Sequence, residues 1–404
     1  MIRAYKYRIY PTRGQAVLLN KTFGCCRWVY NRALAAKIKH YQETGKSLSI
    51  YECQRELPIL KGSEETKWLS EVNSQALVGS LRNLDAAYVR FFKEKKGFPK
   101  FKSKYGKDSF SSSQGTRVDF SAKRVYLTKF SEGIKGKFHR TFDGKVKTST
   151  VSKTKTGKFF ISITVETAET EPQTIVPTLE RTLGIDLGLK HYAALSDGTK
   201  IDNPSFLKKR LSYLRRQQRK LSRKKKGSGK REKQRLIVAR AYEKVTDARN
   251  NFLHNLTARL VKNQDYYAFA VENLGIQDMM KNRRMARQIG DAAWFQFRTF
   301  LEYKAKRAGK SVLVIGRFEP SSKTCTCGHV NHGLSLKDRE WTCPLCNTLH
   351  DRDLLAANNI RRFAFNKHDT YKTLVGTLAP EFTPVETEPS SVVETGKVKR
   401  KRKA

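Results

Sequence analysis

The sequence predicts a mixed α/β protein, in which an N-terminal half of helices followed by strands precedes a half of alternating strands and helices. Three observations support this fold class. Two N-terminal stretches carry apolar residues at helical spacing, the period changes to two between about residues 110 and 165, and strand-like segments alternate with helical ones after residue 181. Such alternation is typical of a sheet core covered by helices. The length of 404 residues suits roughly two or three domains.

The N-terminal half begins with a predicted strand and two predicted helices. Residues 1–10 alternate basic with apolar or aromatic side chains, as a half-exposed strand does, and Pro11 ends them. Helices are predicted over residues 15–41 and 74–93, where apolar residues share one stripe. Gly and Pro then interrupt the helix at residues 97–102, where basic and aromatic side chains alternate. This segment either holds a phosphate backbone or is an exposed basic loop.

Strands complete the first half. Residues 145–153 and a strand from Phe159 are predicted to pair across a hairpin turn at residues 156–157. Apolar side chains alternate with polar ones along the second of these strands, which predicts one buried face. The Glu-, Thr- and Pro-rich segment 166–180 is predicted to link the two halves.

The second half alternates predicted strands and helices. In chain order these are a strand with a hairpin (182–201), a pair of basic helices (205–262) with a turn at 226–229, a buried strand (266–272), a helix (291–308), a strand (312–315) and a helix from about residue 353. The last segment is rich in Thr, Glu and Pro and ends in a basic run. It is predicted to be disordered, and its basic end is a weak nucleic-acid signal.

The net charge narrows the choice of partner. The chain carries 81 Lys and Arg against 37 Asp and Glu, a formal net charge of +44, which a polyanion would neutralise. Nucleic acid is favoured over a membrane surface, because no apolar run approaches the roughly 18–20 residues of a spanning helix. Between Lys208 and Arg235, fifteen basic residues accompany one acid, which favours a phosphate track over a merely solvated face. With no secretory signal, the seven cysteines are predicted to be reduced thiols in the cytoplasm.

Three carboxylates stand where an apolar element ends or begins. Asp186 lies in LGIDLG, Glu272 ends the run YAFAVE, and Asp353 lies in the first turn of a predicted helix. Burying a carboxylate is costly unless something pairs with it. Phosphodiester hydrolysis needs an activated water and a neutralised departing oxygen, which two divalent ions held by carboxylates supply. Taken alone, Asp353 could be only a helix cap and Glu272 only a strand-end surface acid, and for each acid by itself the structural interpretation is the stronger one. As an ordered set, the three acids predict a metal-ion nuclease site.

Two cysteine pairs precede the third acid and predict a structural zinc ribbon. CPLC (343–346) has the usual two-residue gap, whereas CTC (325–327) is one residue shorter, which strains the hook. His329, His332 or His350 could replace Cys325 as a ligand. A reduced, metal-free loop is the alternative.

The ordered set of motifs resembles the RuvC-type nuclease of the TnpB (OrfB) proteins of insertion sequences, compact relatives of type V CRISPR effectors. The motifs that carry the resemblance are GIDLG (184–188), AVENL (270–274), the cysteine-rich segment after PSSKTC (320–325), DRDLLAANNI (351–360) and, in the N-terminal half, YKYRIYP (5–11), RWVYN (27–31), SLRNLD (80–85) and GFPKFK (97–102). The resemblance covers residues 1 to about 362. The chain departs from the family at the short first hook and at Leu355, where the family commonly has Asn. The acid itself is intact, so altered local hydrogen bonding is expected at Leu355, with metal binding kept.

The resemblance implies an RNase H-like (RuvC) nuclease domain with an inserted zinc ribbon, preceded by an α+β half. In that half a β-barrel wedge domain holds an inserted helical recognition domain. The implied boundaries are 1–10 and 105–170 for the wedge domain, 11–104 for the helical domain, 171–180 for a linker, 181–365 for the nuclease domain with its ribbon at 320–350, and 366–404 for a disordered tail.

The resemblance also implies function. Asp186, Glu272 and Asp353 would bind two Mg²⁺ ions and act as the catalytic acids of a Mg-dependent endodeoxyribonuclease, with Asp351 a neighbour outside the triad. A transposon-derived guide RNA would pair with double-stranded target DNA beside a short transposon-associated motif, and the single site would cut both strands. The protein would be cytoplasmic and nucleoid-associated. The expected zinc ligands are Cys325, Cys327, Cys343 and Cys346, and the expected nucleic-acid contacts are Gln75, Arg82, Lys100, Lys102, Arg215, Arg216, Arg219 and Lys220.

Two other functions use the same scaffold. A DNA-binding repressor or accessory transposition protein would bind without cutting, but the presence of all three acids favours cleavage. A recombinase would need a nucleophile such as a Tyr with a His pair, and the sequence has no convincing His-x-His motif.

Overall fold

The computed structural model describes residues 1–335 and 338–377, with side chains described as far as residue 367. The described chain forms two compact units. The first comprises Met1–Ile175, Pro204–Asn263 and Asp278–Lys310, and the second comprises Val176–Asn203, Gln264–Gln277 and the described residues from Ser311 onward. Sheets and helices contribute to both, so the predicted mixed α/β class is confirmed. The two units do not coincide with the domains implied by the resemblance, since the helical segments 204–263 and 278–310 belong to the first unit. The implied domain boundaries stay a proposal.

The N-terminal part of the chain contains the strand and the helices that the sequence predicts. In order, the elements are β1 (Ile2–Tyr10), α1 (Arg13–Thr44), α2 (Ile50–Gly62), a 3-10 helix (Glu64–Glu71), α3 (Ser74–Lys93), β2 (Asp108–Ser112), β3 (Arg117–Asp119), β4 (Arg124–Leu127), β5 (Phe130–Lys137), β6 (Lys145–Lys153) and β7 (Phe159–Glu166).

The remaining elements alternate as predicted. They are β8 (Thr182–Leu187), β9 (His191–Leu195), β10 (Lys200–Asp202), α4 (Phe206–Ser222), α5 (Gly229–Lys262), β11 (Ala268–Glu272), α6 (Ile276–Met279), α7 (Ala286–Ala292), α8 (Trp294–Arg307), β12 (Ser311–Ile315), β13 (Glu340–Thr342), β14 (Leu349–Asp351) and α9 (Arg352–Thr377). No helix within the described chain has an apolar stretch of the length that crossing a bilayer requires.

A seven-stranded sheet in the order β2-β6-β7-β1-β5-β4-β3 forms the core of the first unit. Strands β6 and β7 pair antiparallel across the predicted hairpin, and β1 lies between β7 and β5. The alternating side chains predicted for β7 bury one face, including Ile161 and Ile163. Helices α1, α2 and α3 pack their apolar residues into the same core cluster.

Local sequence sets where helix α1 begins and ends. The Thr12 hydroxyl accepts a hydrogen bond from the Gln15 amide at 3.3 Å, and the Gln15 side chain accepts one from the Thr12 amide at 3.0 Å. This reciprocal capping box satisfies two amides that the first helical turn leaves without partners. The helix ends at Gly45, whose φ of 68° is readily adopted only by glycine.

The second unit is built on a five-stranded sheet in the order β10-β9-β8-β11-β12. Strands β10, β9 and β8 are antiparallel neighbours, whereas β8, β11 and β12 run parallel. Helix α9 packs against the parallel strands, where Ile360 and Ala364 join the core formed by Ala268 and Ala270. This helix continues past residue 366, where the sequence predicts the start of a disordered tail; residues 378–404 lie outside the described residues.

Helix α9 lies very close to β8 at Gly184. A Cβ atom on Gly184 would lie 1.9 Å from the Ala357 carbonyl oxygen and 2.9 Å from the Arg361 Cβ. The carbonyl belongs to the helix backbone and cannot move without shifting the helix. A glycine is therefore required for the observed distance between strand and helix.

We expect Gly184→Ala to lower the free energy of unfolding by about 1–3 kcal/mol, the usual cost of overpacking a well-packed core. Gly14→Ala is the matched control, because a Cβ there meets nothing within 4 Å. Urea unfolding followed by circular dichroism measures both. Equal unfolding midpoints for the two variants would contradict this account of the contact.

Candidate active site and cysteine cluster

Two of the three predicted acids lie side by side on the sheet of the second unit. Ile185 pairs with Val271 in the parallel register of β8 and β11, so the next residues, Asp186 and Glu272, occupy neighbouring positions on the opposite face. Both acids stand near the carboxyl ends of their strands. In open α/β sheets, this edge is where binding sites form.

The third acid comes from the helix that covers this face. Asp353 lies in the first turn of α9, which packs against β8 and β11. Its carboxylate lies 3.5 Å from the guanidinium of Arg339. The negative charge of Asp353 also acts on Asp186 through space, so the structure brings all three predicted acids together.

Burial disfavours the charged forms of two of these acids, and repulsion from the neighbouring acids adds to this effect at Asp186. Burial, followed by the charges of Asp353 and Glu272, raises the pKa of Asp186 to about 7, and the nearby Arg352 only partly offsets this. Burial likewise raises the pKa of Glu272 to about 7. A bound cation would reverse both effects, because it supplies the opposite charge that the carboxylates lack. The donor set of three carboxylates suits a hard divalent ion such as Mg²⁺.

Asp351 has a different role from the three acids. Its Oδ1 accepts hydrogen bonds from the backbone amides of Asp353 and Leu354, both at 3.1 Å, at the start of α9. Its Oδ2 lies 2.5 Å from the Lys200 ammonium. Burial raises the pKa of Asp351, but the hydrogen bonds from Lys200 and the amides outweigh it and lower the pKa overall. Asp351 thus fixes the first turn of α9, which carries Asp353. The sequence did not reveal Lys200 and Arg339, because their partners are distant along the chain.

The four predicted zinc ligands converge in the second unit. The sulfur atoms of Cys325, Cys327, Cys343 and Cys346 all lie within 4.8 Å of one another. Cys325 Sγ is 3.5 Å from Cys346 Sγ, and Cys327 Sγ is 3.7 Å from Cys343 Sγ. A tetrahedral zinc ion with Zn–S bonds of about 2.3 Å would separate its sulfurs by about 3.8 Å, so the cluster fits zinc in spite of its shortened first hook.

Hydrogen bonds reach the sulfurs from outside the cluster. Those from the Thr348 hydroxyl and amide lower the pKa of the Cys346 thiol to about 6, which favours the metal-binding thiolate. The His329 amide makes a similar bond to Cys327, although contacts with neighbouring sulfurs raise the pKa of that thiol to about 12.

His350 contacts the first cysteine of the short hook. Its Nε2 lies 3.0 Å from Cys325 Sγ, and its ring packs against Trp341. Of the three histidines that the sequence offers as replacement ligands, this is the one that reaches the cluster's sulfur. Leu355, the other departure from the family pattern, is buried in the same apolar cluster as Cys325 and Trp341.

The predicted nucleic-acid contacts lie in the first unit. Gln75 is half-buried near the start of α3, where its side-chain oxygen accepts a hydrogen bond from Ser113 at 3.2 Å. Leu214 and Gln217 are buried on the opposite side of α4 from its basic face. The remaining predicted contacts are all exposed, and they are Arg82, Lys100, Lys102, Arg215, Arg216, Arg219 and Lys220.

Family profiles match three regions of the chain. Residues 162–283 match OrfB_IS605, described as a probable transposase. Residues 1–46 match the helix-turn-helix domain of the same group, and residues 294–360 match the Cas12f1-like TNB domain. The last region contains the cysteine cluster.

Whole-chain relatives extend these matches. A candidate RNA-guided DNA endonuclease of Streptomyces pristinaespiralis is 39% identical over 363 residues, which cover 89% of this chain and 88% of the relative. The similarly described InsQ of Escherichia coli K12 is 30% identical over 374 residues, covering 89% and 91%. Among solved structures, the protein of a Cas12f1–sgRNA–target DNA complex has a similar fold, with a TM-score of 0.54 at 14% identity over 87% of this chain and 83% of that chain.

The raised pKa values of Asp186 and Glu272 predict how the stability of the metal-free protein depends on pH. Between about pH 4 and 7 the carboxyls of the unfolded chain ionise while Asp186 and Glu272 stay protonated in the folded state. The folded state then binds more protons than the unfolded chain, so the free energy of unfolding falls as pH rises through this window. The total fall is on the order of a few kcal/mol, and it levels off above about pH 7.

Urea unfolding in EDTA between pH 4 and 8 measures this effect. Asp186→Asn should flatten the fall, whereas Glu180→Gln, a change at an exposed acid shortly before β8, should keep it. The same slope in wild type and Asp186→Asn would show that burial of Asp186 does not determine the pH dependence.

Proposed function

This chain belongs to the OrfB (TnpB) family of insertion-sequence proteins, and from that premise we propose that it is an RNA-guided DNA endonuclease whose catalytic acids are Asp186, Glu272 and Asp353. The observation that carries the proposal is the convergence of these acids, which lie 86 and 81 residues apart along the chain, on one face of one sheet. The relatives described as RNA-guided DNA endonucleases match nearly the whole chain. A sheet in which antiparallel β10, β9 and β8 continue into parallel β11 and β12 supports an RNase H-like (RuvC) nuclease unit.

Two Mg²⁺ ions held by the three acids are the proposed cofactor of cleavage. When bound, they supply an activated water and neutralise charge on the departing oxygen. The chain's own residues provide the holding geometry. Strands β8 and β11 fix Asp186 and Glu272 through backbone pairing, and the Asp351 cap fixes the turn that carries Asp353.

Guide RNA and double-stranded DNA are the proposed partners. Base pairing between guide and target reads most of the sequence, so the protein needs mainly backbone contacts and recognition of a short adjacent motif. The exposed basic face of α4, which includes Arg215, Arg216, Arg219 and Lys220, suits phosphate contacts. Binding through such contacts weakens steeply with salt. The wedge and helical recognition domains implied by the family remain part of this proposal.

A structural Zn²⁺ ion on all four cysteines completes the proposal. The sulfur separations support this ligand set over one in which a histidine replaces Cys325. His350, at 3.0 Å from Cys325 Sγ, then acts outside the metal's own ligand set. In the tautomer protonated at Nε2, it donates a hydrogen bond to the Cys325 thiolate.

Cleavage of a matching plasmid in Mg²⁺ tests the active site. We expect Asp186→Ala to slow cleavage by more than about 100-fold, because losses of outer-shell partners alone reach about that size. RNA binding should be unchanged, since the change removes only the charge that holds metal. Asp202→Asn should cut at the wild-type rate. Full activity in Asp186→Ala would refute the site assignment.

Sequencing of the RNA that co-purifies with the full chain tests the guide. A discrete RNA species, and loss of plasmid cleavage when the plasmid's complementary segment is scrambled, are the expected results. Cleavage that ignores the scrambled segment would contradict RNA guidance while leaving the nuclease assignment intact.

Cobalt substitution tests the zinc ligands, because Co²⁺ absorption distinguishes four sulfur ligands from three sulfurs and one nitrogen. We expect a four-sulfur spectrum that Cys325→Ser changes. His350→Phe should keep the spectrum but weaken metal affinity by about 10–100-fold, the usual cost of an outer-shell partner. His332→Ala, at an exposed position, is the control. A nitrogen signature that His350→Phe removes would instead make His350 a ligand.

A further inference from the structure

The first unit contains a cavity of about 480 Å³ that is open to solvent. It is lined by helix α1, the 3-10 helix and the loop after α3. Its volume lies within the roughly 300–1,000 Å³ of small-ligand pockets. Trp28 and Trp68 form one wall, with ring centroids 5.3 Å apart at an interplanar angle of 78°. Trp68 is 38% exposed. The wall is therefore an aromatic surface that a ligand can reach from solvent at Trp68, with the half-buried Trp28 ring beside it.

The cations around this cavity differ in how they are neutralised. Lys21 and Arg27 each form an ion pair with a carboxylate. The Lys102 ammonium instead lies 4.0 Å from the centroid of the Tyr30 ring, and within the part of the chain that the structure describes no carboxylate pairs with it. Lys102 therefore leaves an uncompensated positive charge at the edge of the cavity.

The backbone of Lys102 is fixed to the cavity floor. The Asn31 side-chain amide donates to the Lys102 carbonyl at 3.0 Å, and its oxygen accepts from the Lys102 amide at 2.7 Å. These two bonds join the loop to helix α1. The cation is thus held in place before a ligand arrives, which lowers the entropic cost of binding.

Two polar groups of the wall and floor, the Trp68 indole N–H and the Asn31 amide, are already occupied. Both ends of the Asn31 amide are used by Lys102, and the Trp68 indole N–H donates to the Glu65 carbonyl at 3.0 Å. Hydrogen bonds to base edges are what distinguish one base from another. The cavity offers stacking surface and positive charge, so it suits any base.

We propose that this cavity holds one unstacked nucleotide of a single-stranded stretch, with its base against Trp28 and Trp68 and its phosphate on Lys102. This inference rests on the proposed function, because it takes nucleic acid as the ligand. Stacking on aromatic side chains beside a basic groove is how proteins hold single strands without sequence preference. The unpaired ammonium and the net charge of +44 favour such a polyanion over a peptide or a second copy of the chain. RNA and DNA share this chemistry.

Binding of fluorescein-labelled octamers of dT and rU to the full chain, freed of bound RNA, tests the proposal. Anisotropy gives affinity, and quenching of tryptophan fluorescence reports stacking. Trp68→Ala should weaken binding about 10-fold and remove most of the quenching, and Trp68→Phe should restore part of the affinity because it keeps an aromatic face.

Gly24 offers a second route that leaves the tryptophans in place. It lines the cavity, and a Cβ there would meet only Arg27 Nη2, at 4.0 Å. Gly24→Leu should therefore fill the cavity and weaken binding to a similar extent, whereas Gly24→Ala should bind as wild type. Thermal melts by circular dichroism check that each variant is folded.

The outcomes separate this inference from the function it rests on. Wild-type affinity in both Trp68→Ala and Gly24→Leu overturns the nucleotide site while nucleic-acid binding stands. A wild-type chain that binds neither octamer contradicts the proposed function itself. If the two variants lose affinity for the rU octamer alone, the nucleotide belongs to RNA. If they lose affinity for the dT octamer alone, it belongs to DNA. A changed sedimentation coefficient in Trp68→Ala at unchanged affinity would show a self-association face and overturn the proposal.

Discussion

The near contact between the backbones of helix α9 and strand β8 at Gly184 is the constraint on which the second unit depends. No side chain larger than hydrogen fits there, since even a Cβ would fall 1.9 Å from the Ala357 carbonyl oxygen. The neighbouring strand β11 likewise carries small side chains, Ala268 and Ala270, which are fully buried in the core beneath the helix. Small residues on the sheet thus let the helix descend far enough for its first turn to bring Asp353 into the electrostatic field of Asp186.

That arrangement makes the metal-free site electrostatically unfavourable. Burial raises the pKa of Glu272 to about 7, and burial together with the charges of Asp353 and Glu272 raises the pKa of Asp186 to about 7, so near neutral pH the folded chain holds carboxyls against their ordinary tendency to ionise. Arg339 offsets part of the charge at Asp353. The same burial that weakens the free protein strengthens its hold on a cation, because carboxylates that water screens less attract it more strongly. Stability and metal affinity are therefore opposed at this site.

Sequence alone predicts much of this fold because its signals are local. Helix α1 carries its capping box and apolar stripe, β7 alternates along its length, and the hairpin turn at residues 156–157 joins two strands near in sequence. Helix α2 also begins with a capping box, formed by Ser49 and Glu52, but it carries no long apolar stripe, since it buries only Cys53 and Leu57 and contains Pro58. The three acids were predictable from motif order, but Lys200 and Arg339 were not, because an ion pair between residues far apart in sequence leaves no local pattern.

The two departures from the family pattern meet in space, which explains how the cysteine cluster can keep its geometry. In a hook with a two-residue gap, backbone amides turn back toward the first sulfur, and the sequence predicts that the shorter gap after Cys325 hinders this turn. The His350 imidazole lies where it can donate to the same sulfur. Leu355 is buried in one apolar cluster with Cys325 and Trp341, so its side chain supports the sulfur by packing where an amide would need hydrogen-bond partners. Strand β14 runs directly into α9 between these two residues, so support of Cys325 and placement of Asp353 depend on the same short segment of chain.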